Sequence, residues 1–272
     1  MKLKKILATV LATVAAFATF GLVACDKNDS YVAKNIASDS NEQYAFAIGK
    51  TASKKTEILN AMNTVIDKID VANIVTYYQD VSEGKTPSVT LEFANLADNT
   101  AGTLQVYTNA AFEPFEFRDD KNNVVGVDMY IMELVAEELN MKVQFNDMDF
   151  DGIVGKVATE DNAVGAAGMT VNAERLEKVD FSNTYFSTVQ SIISKEAESF
   201  STVEQLKGKK IGVQKGTTGW ILIDEAIKSG VLKDSGAEVI PYENGPLAYA
   251  ALKAGKCDVV VIDELPANKL VK

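Results

Sequence analysis

The sequence predicts an α/β fold, because short apolar strand patterns alternate with amphipathic helix patterns from residue 103 to residue 262. The strand patterns ending at Tyr107, Ala167 and Val213 are each followed by a polar or glycine-containing segment. Ligands of parallel α/β sheets bind beyond the carboxyl ends of the strands, so these three segments are candidate ligand loops. The chain is 47% hydrophobic and 24% charged, which is typical of a globular protein with one large or two modest cores.

The composition argues against several classes of function. The formal net charge of −11 argues against nonspecific binding of nucleic acid. The sequence contains no histidine, which removes Ser-His-Asp and Cys-His catalysis and the commonest ligand of transition metals. We therefore expect a protein that is not an enzyme, with no catalytic residues, no metal and no cofactor.

The N-terminus has the pattern of a secretory signal. Lys2, Lys4 and Lys5 precede a mostly apolar run over residues 6–20, which is too short for a membrane-spanning anchor. The following L-V-A-C resembles the lipobox of bacterial lipoproteins, which implies that Cys25 is lipidated and becomes the new N-terminus. The alternative is a plain secretory signal in which the cysteine is incidental.

The next part of the chain predicts a tether, a strand and two helices. Residues 26–41 are rich in Asp, Asn, Ser and Lys, as in a tether, although part of this stretch can pack. Residues 44–50 alternate like a strand, and two helical patterns follow up to residue 80. Residues 81–102 predict a connector in which V-T-L-E-F can add an edge strand.

From residue 103 the pattern alternates between the two element types. The predicted strands span residues 104–107, 124–127, 142–145, 164–167, 189–194, 210–213, 239–242 and 259–262. The predicted helices span residues 128–138, 150–157, 202–206, 220–229 and 246–254. Asp128 is predicted to cap the first of these helices at its N-terminus.

Residues 164–180 contain a candidate anion site. A short apolar run ends at Gly168, a hydroxyl follows at Thr170, and Arg175 is the lone arginine of the stretch. A planar guanidinium matches a carboxylate through two parallel hydrogen bonds. The alternative is a loop that enters a helix, with Arg175 in a surface ion pair with a neighbouring glutamate.

Several segments together resemble the periplasmic solute-binding proteins of polar amino-acid ABC transporters, extracellular solute-binding protein family 3. The resemblance covers nearly the whole chain after the signal. It rests on T-N-A-A-F-E-P-F-E-F, G-V-D-M-Y, A-E-E-L-N-M, D-M-D-F-D-G, A-G-M-T, V-D-F-S, L-K-G-K-K-I-G-V-Q-K-G-T-T-G and V-V-V-I-D-E, in this order. It implies a type II periplasmic-binding-protein fold, with two α/β lobes of parallel or mixed sheets joined by two hinge strands.

The resemblance also implies a ligand site between the lobes. Its residues would be Asn109, Phe112, Phe150, Gly168, Met169, Thr170, Arg175, Gln214, Thr217, Thr218 and Asp263. The two phenylalanines would sandwich the ligand, Arg175 would bind its carboxylate and Asp263 its ammonium. Gly168 and Thr170 would meet the same two groups, and Thr217 or Thr218 would offer hydroxyl and N–H groups at a helix start.

Alternatives remain for single residues. The phenylalanines can be core residues, and Asp263 can merely end a strand. Asn109 stands where some family members have an acid, and Gln214 stands where glutamine binders have a lysine, which leaves selectivity open. Nearby loop acids can favour a cationic side chain, or can be solvated only.

One departure from the family order predicts a circular permutation. The family has a return strand and two closing helices after the strand that ends in I-D-E, whereas here a matching strand and two helices stand at residues 44–80. The competing account is a truncated gene product with an unrelated N-terminal extension. The predicted division is signal 1–24, tether and start of lobe 2 at 25–43, hinge strand 44–50, closing helices of lobe 1 at 51–80, linker 81–102, lobe 1 at 103–188, hinge strand 189–195 and lobe 2 at 196–272.

The resemblance implies a lipid-anchored, extracytoplasmic receptor that closes over a free amino acid and delivers it to an ABC transporter permease. We expect a monomer that holds a small amino acid and is attached to the bacterial membrane through lipid on Cys25. Two other classes remain open. One is an enzyme on the same fold, such as a dehydratase of cyclohexadienyl substrates, and the other is a ligand-sensing ectodomain.

Overall fold

The computed structural model describes residues 30–37 and 41–272. The predicted signal and Cys25 therefore lie outside the described residues. The strands are β1 (Tyr31–Asn35), β2 (Glu42–Tyr44), β3 (Ala47–Gly49), β4 (Thr103–Thr108), β5 (Phe117–Arg118), β6 (Val124–Val125), β7 (Lys142–Asp147), β8 (Ala163–Gly165), β9 (Val179–Phe181), β10 (Phe186–Thr188), β11 (Gln190–Lys195), β12 (Lys210–Gln214), β13 (Glu238–Tyr242) and β14 (Val259–Asp263).

The α-helices are α1 (Lys55–Lys68), α2 (Val71–Ser82), α3 (Val127–Glu138), α4 (Phe150–Thr159), α5 (Ala173–Lys178), α6 (Thr218–Lys228), α7 (Gly245–Lys253) and α8 (Glu264–Leu270). Side chains at several N-caps explain where helices begin. Asp70, Asn172, Thr217 and Asn244 each accept a hydrogen bond from a backbone N–H in the first turn of the helix that follows.

Lobe 1 is built on a mixed five-stranded sheet with the order β7-β4-β8-β3-β9. β4 pairs in parallel with β7 and β8, whereas β3 is antiparallel to β8 and β9. The helices α1, α2 and α3 pack together on one side of the lobe. Because β4 and β8 are parallel neighbours, the loops that follow them begin at the same edge of the sheet.

Lobe 2 is built on a second mixed sheet, with the order β1-β11-β14-β12-β13. β12 pairs in parallel with β13 and β14, and β11 is antiparallel to β14 and β1. Every residue of β14 is buried, as expected of a continuous apolar strand covered on both faces. Gln214 and Asp263 end β12 and β14, so both lie at one edge of this sheet.

Two chain segments connect the lobes, and they lie side by side. The chain passes from β1 in lobe 2 to β3 in lobe 1, where residues 41–46 lead into β3, and residues 182–189 run from β9 in lobe 1 to β11 in lobe 2. Within these segments, β2 and β10 form an antiparallel pair in which Tyr44 faces Phe186. The two connections therefore bend together.

The crossover positions differ from the predicted hinge strands. Residues 44–50 break into two short strands, of which β3 belongs to the sheet of lobe 1. The predicted hinge strand at 189–195 is β11, which pairs with two neighbours inside lobe 2. An alternating apolar pattern identifies a buried strand but not the sheet that it joins, which explains the difference.

Four further elements differ from the sequence prediction. β1 forms within the predicted tether, where it pairs along its whole length with β11. α8 follows β14 directly and was not predicted. The segment V-T-L-E-F forms no strand, and α3 is preceded by Gly126 rather than capped by Asp128. Gly126 has φ of 138°, and a Cβ there would lie 2.1 Å from the carbonyl oxygen of Phe115, so the close approach of two loops requires glycine.

Candidate functional site

A cavity of about 310 Å³ lies between the lobes, at the edges where β4, β8, β12 and β14 end. Lobe 1 contributes Asn109, Phe112, Glu116, Phe150, Ala167, Gly168, Thr170 and Arg175, and lobe 2 contributes Gln214, Thr217, Thr218 and Asp263. The structure thus brings together all of the predicted site residues except Met169.

Met169 does not line the cavity. Its side chain is fully buried in a cluster of lobe 1 that includes Phe150 and Ile153. Its backbone carbonyl accepts a hydrogen bond from Ala45 N–H at 3.0 Å. Met169 is therefore turned into the core, between two residues that line the cavity.

Arg175 is buried, although none of the described carboxylates forms a salt bridge with it. Its Nη1 donates to the Thr170 carbonyl at 2.6 Å, and its Nη2 donates to the Gly216 carbonyl of lobe 2 at 3.1 Å. Its side chain is not in a surface ion pair, because Glu174 pairs instead with Lys178. Within the described ranges no acid forms an ion pair with this guanidinium, and burial lowers its pKa while Glu42 and Asp263 act in the opposite direction. The cavity therefore presents a positive charge that lacks an anionic partner.

Asp263 supplies the opposite charge from lobe 2. Its carboxylate accepts hydrogen bonds from the Tyr44 hydroxyl and, at 2.8 Å, from Gln190 Nε2. Burial and the nearby charge of Glu42 raise the pKa of Asp263 to about 7, although the two hydrogen bonds act to lower it. A cationic ligand group at this carboxylate would favour its ionised form.

Glu116 is a second acid of the cavity, which the sequence reasoning missed. Its side chain is 1% exposed, and its Oε2 has no hydrogen-bond partner among the residues that the structure describes. Burial, together with the charges of Asp128 and Asp263, raises the pKa of Glu116 well above its ordinary value. The signal in the sequence was that Glu116 stands between two phenylalanines in F-E-P-F-E-F, Phe115 and Phe117. Both are buried in the structure.

Two phenylalanine rings form the apolar walls. The Phe150 ring lies 5.2 Å from the Arg175 guanidinium carbon, which is a cation–π distance. The Phe112 ring lies against Gly168, where a Cβ would be 2.7 Å from a ring carbon. Gly168 has φ of 50°, so both the backbone conformation and the close approach favour glycine.

Asp128 holds the A-G-M-T segment in place rather than capping α3. Its side chain accepts hydrogen bonds from Gly168 N–H at 2.9 Å and from the Tyr185 hydroxyl at 2.6 Å. Burial raises the pKa of Asp128 to about 7, although both hydrogen bonds oppose the shift. A buried acid on α3 therefore orients a loop of the cavity.

The lobes touch around the cavity. Gln214 Nε2 donates to Asn109 Oδ1 at 3.0 Å, and Lys215 pairs with Asp151 at 2.6 Å. At Gly216, which has φ of 77°, a Cβ would lie 2.8 Å from the Cβ of Asp151 on the other lobe. The structure is therefore a closed form in which backbone and side-chain contacts cross the cleft.

Three polar residues in or next to the connecting segments contact residues that line the cavity, and the sequence reasoning did not assign them a role. Tyr44 and Gln190 contact Asp263, and Glu42 contacts Thr170 and Thr218. They were missed because a residue in a crossover reaches the site only once both lobes are in place.

Comparison with known proteins agrees with this fold. The family of bacterial extracellular solute-binding proteins, family 3, matches residues 104–230. The L-cystine-binding protein TcyJ of Escherichia coli is 30% identical over 173 residues, which are 63% of this chain and 62% of that protein. The chain thus matches less than two thirds of the length of this curated relative.

Solved structures are matched over a larger share of their own length. An ancestral arginine-binding protein bound to arginine is 40% identical, with a TM-score of 0.54, over 60% of this chain and 70% of that one. An ancestral amino acid-binding protein that is a precursor of cyclohexadienyl dehydratase is 32% identical, with a TM-score of 0.53, over 60% and 70% of the two chains. A two-lobed α/β fold with a charged cleft is that of a solute-binding protein. The chain belongs to the bacterial extracellular solute-binding proteins of family 3.

In the part of the chain that the structure covers, no helix combines the length and the apolar character needed to cross a membrane. No group of three or more acids or cysteines within those same residues is arranged to hold a metal ion.

The buried acids predict how stability changes with pH. Asp128 and Asp263 have ordinary pKa values of 3.8 that burial raises to about 7, so between these values the folded protein binds protons that the unfolded chain releases. The free energy of unfolding should therefore fall as the pH rises from 4 to 7, by up to about 1.4 kcal/mol per pH unit for each group. Urea denaturation of the ligand-free protein across this range measures the slope.

Asp263→Asn should flatten that slope, because asparagine does not titrate. Asp180→Asn is the matched control, since Lys55 and Lys50 lower the pKa of Asp180 and its titration lies below this pH range. A slope that is the same in wild type and in Asp263→Asn would contradict the assignment.

Proposed function

We propose that the protein is the binding component of an amino-acid ABC importer and captures one free amino acid between its lobes. The observation that carries this proposal is the buried Arg175 guanidinium, which faces the cavity with carbonyl oxygens as its hydrogen-bond acceptors. A buried charge without a counter-ion costs several kcal/mol, and a ligand carboxylate would supply the missing charge. The backbone N–H groups at the start of α6 also favour an anion.

The ligand ammonium would bind on the other side of the cavity, at Asp263. Because Arg175 is on lobe 1 and Asp263 is on lobe 2, one zwitterion would contact both lobes and stabilise the closed form. Phe112 and Phe150 would pack against the carbon atoms between the two charged groups. Either lobe alone would lack one of the two opposite charges.

We further propose that the ligand has a cationic side chain, with arginine as the first candidate. A neutral amino acid would pair with Arg175 and Asp263 and leave the buried Glu116 without a partner. An additional positive group on the ligand would pair with Glu116. The charges of the ligand, Arg175, Asp263 and Glu116 would then sum to zero. The likeness to an ancestral protein solved with bound arginine supports this choice.

A neutral polar side chain is the second candidate, supported by the amides of Asn109 and Gln214 in the cavity wall. Glu116 would then stay protonated and would act as a hydrogen-bond donor. A relative is named as an L-cystine-binding protein, and the distal half of L-cystine carries an ammonium and a carboxylate with no net charge.

Catalysis is the alternative class of function, and one observation favours it. Glu116 is a buried acid with a raised pKa in a ligand cavity, which is a property of general acids. We nevertheless propose a protein that binds without turnover, because Arg175 and Asp263 together suit an intact zwitterion. Incubation with cyclohexadienyl acids, followed by ultraviolet detection of aromatic product, tests the alternative.

The proposed setting is the outer face of a bacterial cell membrane, where a monomer is attached through lipid on Cys25 and passes its ligand to a permease. The L-V-A-C pattern and the family membership support this setting. Metabolic labelling with a radioactive fatty acid tests the anchor, since Cys25→Ala should abolish incorporation.

Arg175→Ala should weaken amino-acid binding by a factor of about 100 or more, because the ligand carboxylate loses a charge-assisted, bidentate partner worth about 3 kcal/mol. Isothermal titration calorimetry with the amino acid that stabilises the wild type most in a thermal-shift screen measures the loss. Arg118→Ala is the control, since Arg118 is on the surface and pairs with Asp147. Equal affinity of wild type and Arg175→Ala would contradict the proposed carboxylate site.

Glu116→Gln should reverse the preference among ligands. Among the twenty amino acids, arginine should stabilise the wild type most, and the variant should bind arginine about tenfold or more weakly while it binds neutral polar amino acids as well or better. Glu113→Gln is the neighbouring control, because Glu113 pairs with Lys269 outside the cavity. An unchanged order of ligands in the Glu116 variant would contradict the cationic ligand.

We also propose that the chain is a circular permutant of the family order. Support comes from β3, α1 and α2, which precede β4 in sequence yet form part of lobe 1, and from β1, which packs beside α8 at the far end of the sequence. Residues 83–102 would be the new linker, and this segment is attached to α3 through Tyr130, whose hydroxyl donates to the Glu92 carbonyl at 2.7 Å.

A rearranged gene tests the permutation. Its product would begin near residue 103, join residue 272 to residue 30 through a short flexible linker, and end near residue 83. This product should fold and bind the same amino acid. Its free energy of unfolding should lie within about 2 kcal/mol of that of the original chain, because the core contacts are unchanged. Failure to fold would contradict the proposal, and the original chain expressed in parallel is the control.

A further inference from the structure

Glu42 lies where the two lobes and one connecting segment meet. It begins β2, opposite Thr188 of β10, in the pair of crossover segments. Its carboxylate lies behind the wall of the cavity, in an outer groove that Gln190 and Thr218 also line. The residue therefore contacts the cavity wall from the side away from the ligand.

The Glu42 carboxylate accepts hydrogen bonds from both lobes. Its Oε2 accepts from the Thr170 hydroxyl of lobe 1 at 2.8 Å and from the Thr218 hydroxyl of lobe 2 at 2.7 Å. Its Oε1 accepts from Gln190 Nε2 at 3.0 Å. One oxygen atom thus joins a hydroxyl from each lobe, and this arrangement requires closed lobes.

These bonds determine what the two hydroxyls can offer a ligand. A threonine hydroxyl has one proton to donate and two lone pairs that accept. Because both protons are directed to Glu42, the Thr170 and Thr218 oxygens can act toward a ligand only as acceptors, and the Thr218 oxygen, which also accepts from Gln190 Nε2 at 3.4 Å, keeps one lone pair for this. A ligand carboxylate can only accept hydrogen bonds, so it would form none with these two acceptors. A ligand ammonium donates hydrogen bonds and could donate to both.

We propose that Glu42 is a positioning residue that turns the Thr170 and Thr218 hydroxyls into acceptors and so makes the ligand ammonium, rather than the carboxylate, bind between them. This inference rests on the proposed amino-acid binding. An ammonium has three N–H donors, and Asp263, Thr170 and Thr218 are three acceptors from the two lobes. The carboxylate is left to Arg175 and to backbone N–H groups at the start of α6.

Neighbouring groups suit this role. Gln190 Nε2 also donates to Asp263 Oδ1 at 2.8 Å, so one amide holds both carboxylates that orient the ammonium site. A Cβ at Gly219 would lie 2.7 Å from Gln190 Oε1, so glycine in T-T-G leaves room for this side chain. Arg175 and Asp263 are the other charged groups close enough to Glu42 to interact with it.

The test compares two ligands on each variant by isothermal titration calorimetry. The probes are L-arginine and 5-guanidinopentanoic acid, which lacks only the ammonium; if another amino acid stabilises the wild type more, it and its deaminated acid replace them. In Glu42→Gln, the ratio of the two dissociation constants should shrink at least tenfold, because the amino acid binds more weakly while the deaminated acid is less affected. Glu204→Gln, an acid of the same outer groove, should keep the wild-type ratio.

A double-mutant cycle separates positioning from general damage. Thr218→Val should weaken the amino acid as Glu42→Gln does, and the double variant should lose little more, because both changes remove the same oriented acceptor. Thermal unfolding confirms that each variant is folded.

Equal weakening of both ligands, additive losses, or an unchanged ratio would each overturn the role of Glu42. A wild type that binds none of the amino acids would overturn the proposed function as well. The two failures are therefore distinguishable.

Discussion

The buried guanidinium of Arg175 is the constraint on which the rest of the site depends. A charge of this kind is expensive to remove from water, and the carbonyl oxygens of Thr170 and Gly216 compensate it only in part. Its position requires a short α5 that begins at a capped turn and a facing loop from lobe 2. A small anion bound in the closed cleft would consequently compensate the charge of Arg175.

The acids around the cavity differ in how far they can compensate the charge of Arg175. Asp263, Glu116 and Asp128 all have raised pKa values because burial disfavours their charged forms. Asp128 is bonded to Gly168 and Tyr185 and does not line the cavity, whereas Asp263 lines it and is also bonded to Tyr44 and Gln190. Asp263 and Glu116 face the cavity, so the charge that they carry depends on what the cavity contains.

Much of the fold and the site could be predicted from the sequence, for reasons that differ between elements. β4, β7, β12 and β14 are continuous or alternating apolar runs, and such runs predict buried strands directly. Arg175 and Asp263 follow from motifs at strand ends. Glu42 could not be predicted, since its partners Thr170, Gln190 and Thr218 are 128, 148 and 176 residues away in sequence and meet it only through the paired crossovers. Asp128 fits the pattern of a helix cap, but tertiary contacts with Gly168 and Tyr185 outweigh that local preference.

The contact between Gly216 and Asp151 has a consequence for the shape of the closed state. A backbone of one lobe already touches a side chain of the other, with no space for even one added methyl group. The angle to which the two lobes close is therefore limited by van der Waals contact within the protein and not by the size of the ligand. Ligands of different length would then be distinguished by whether they fit the fixed volume of the closed cleft.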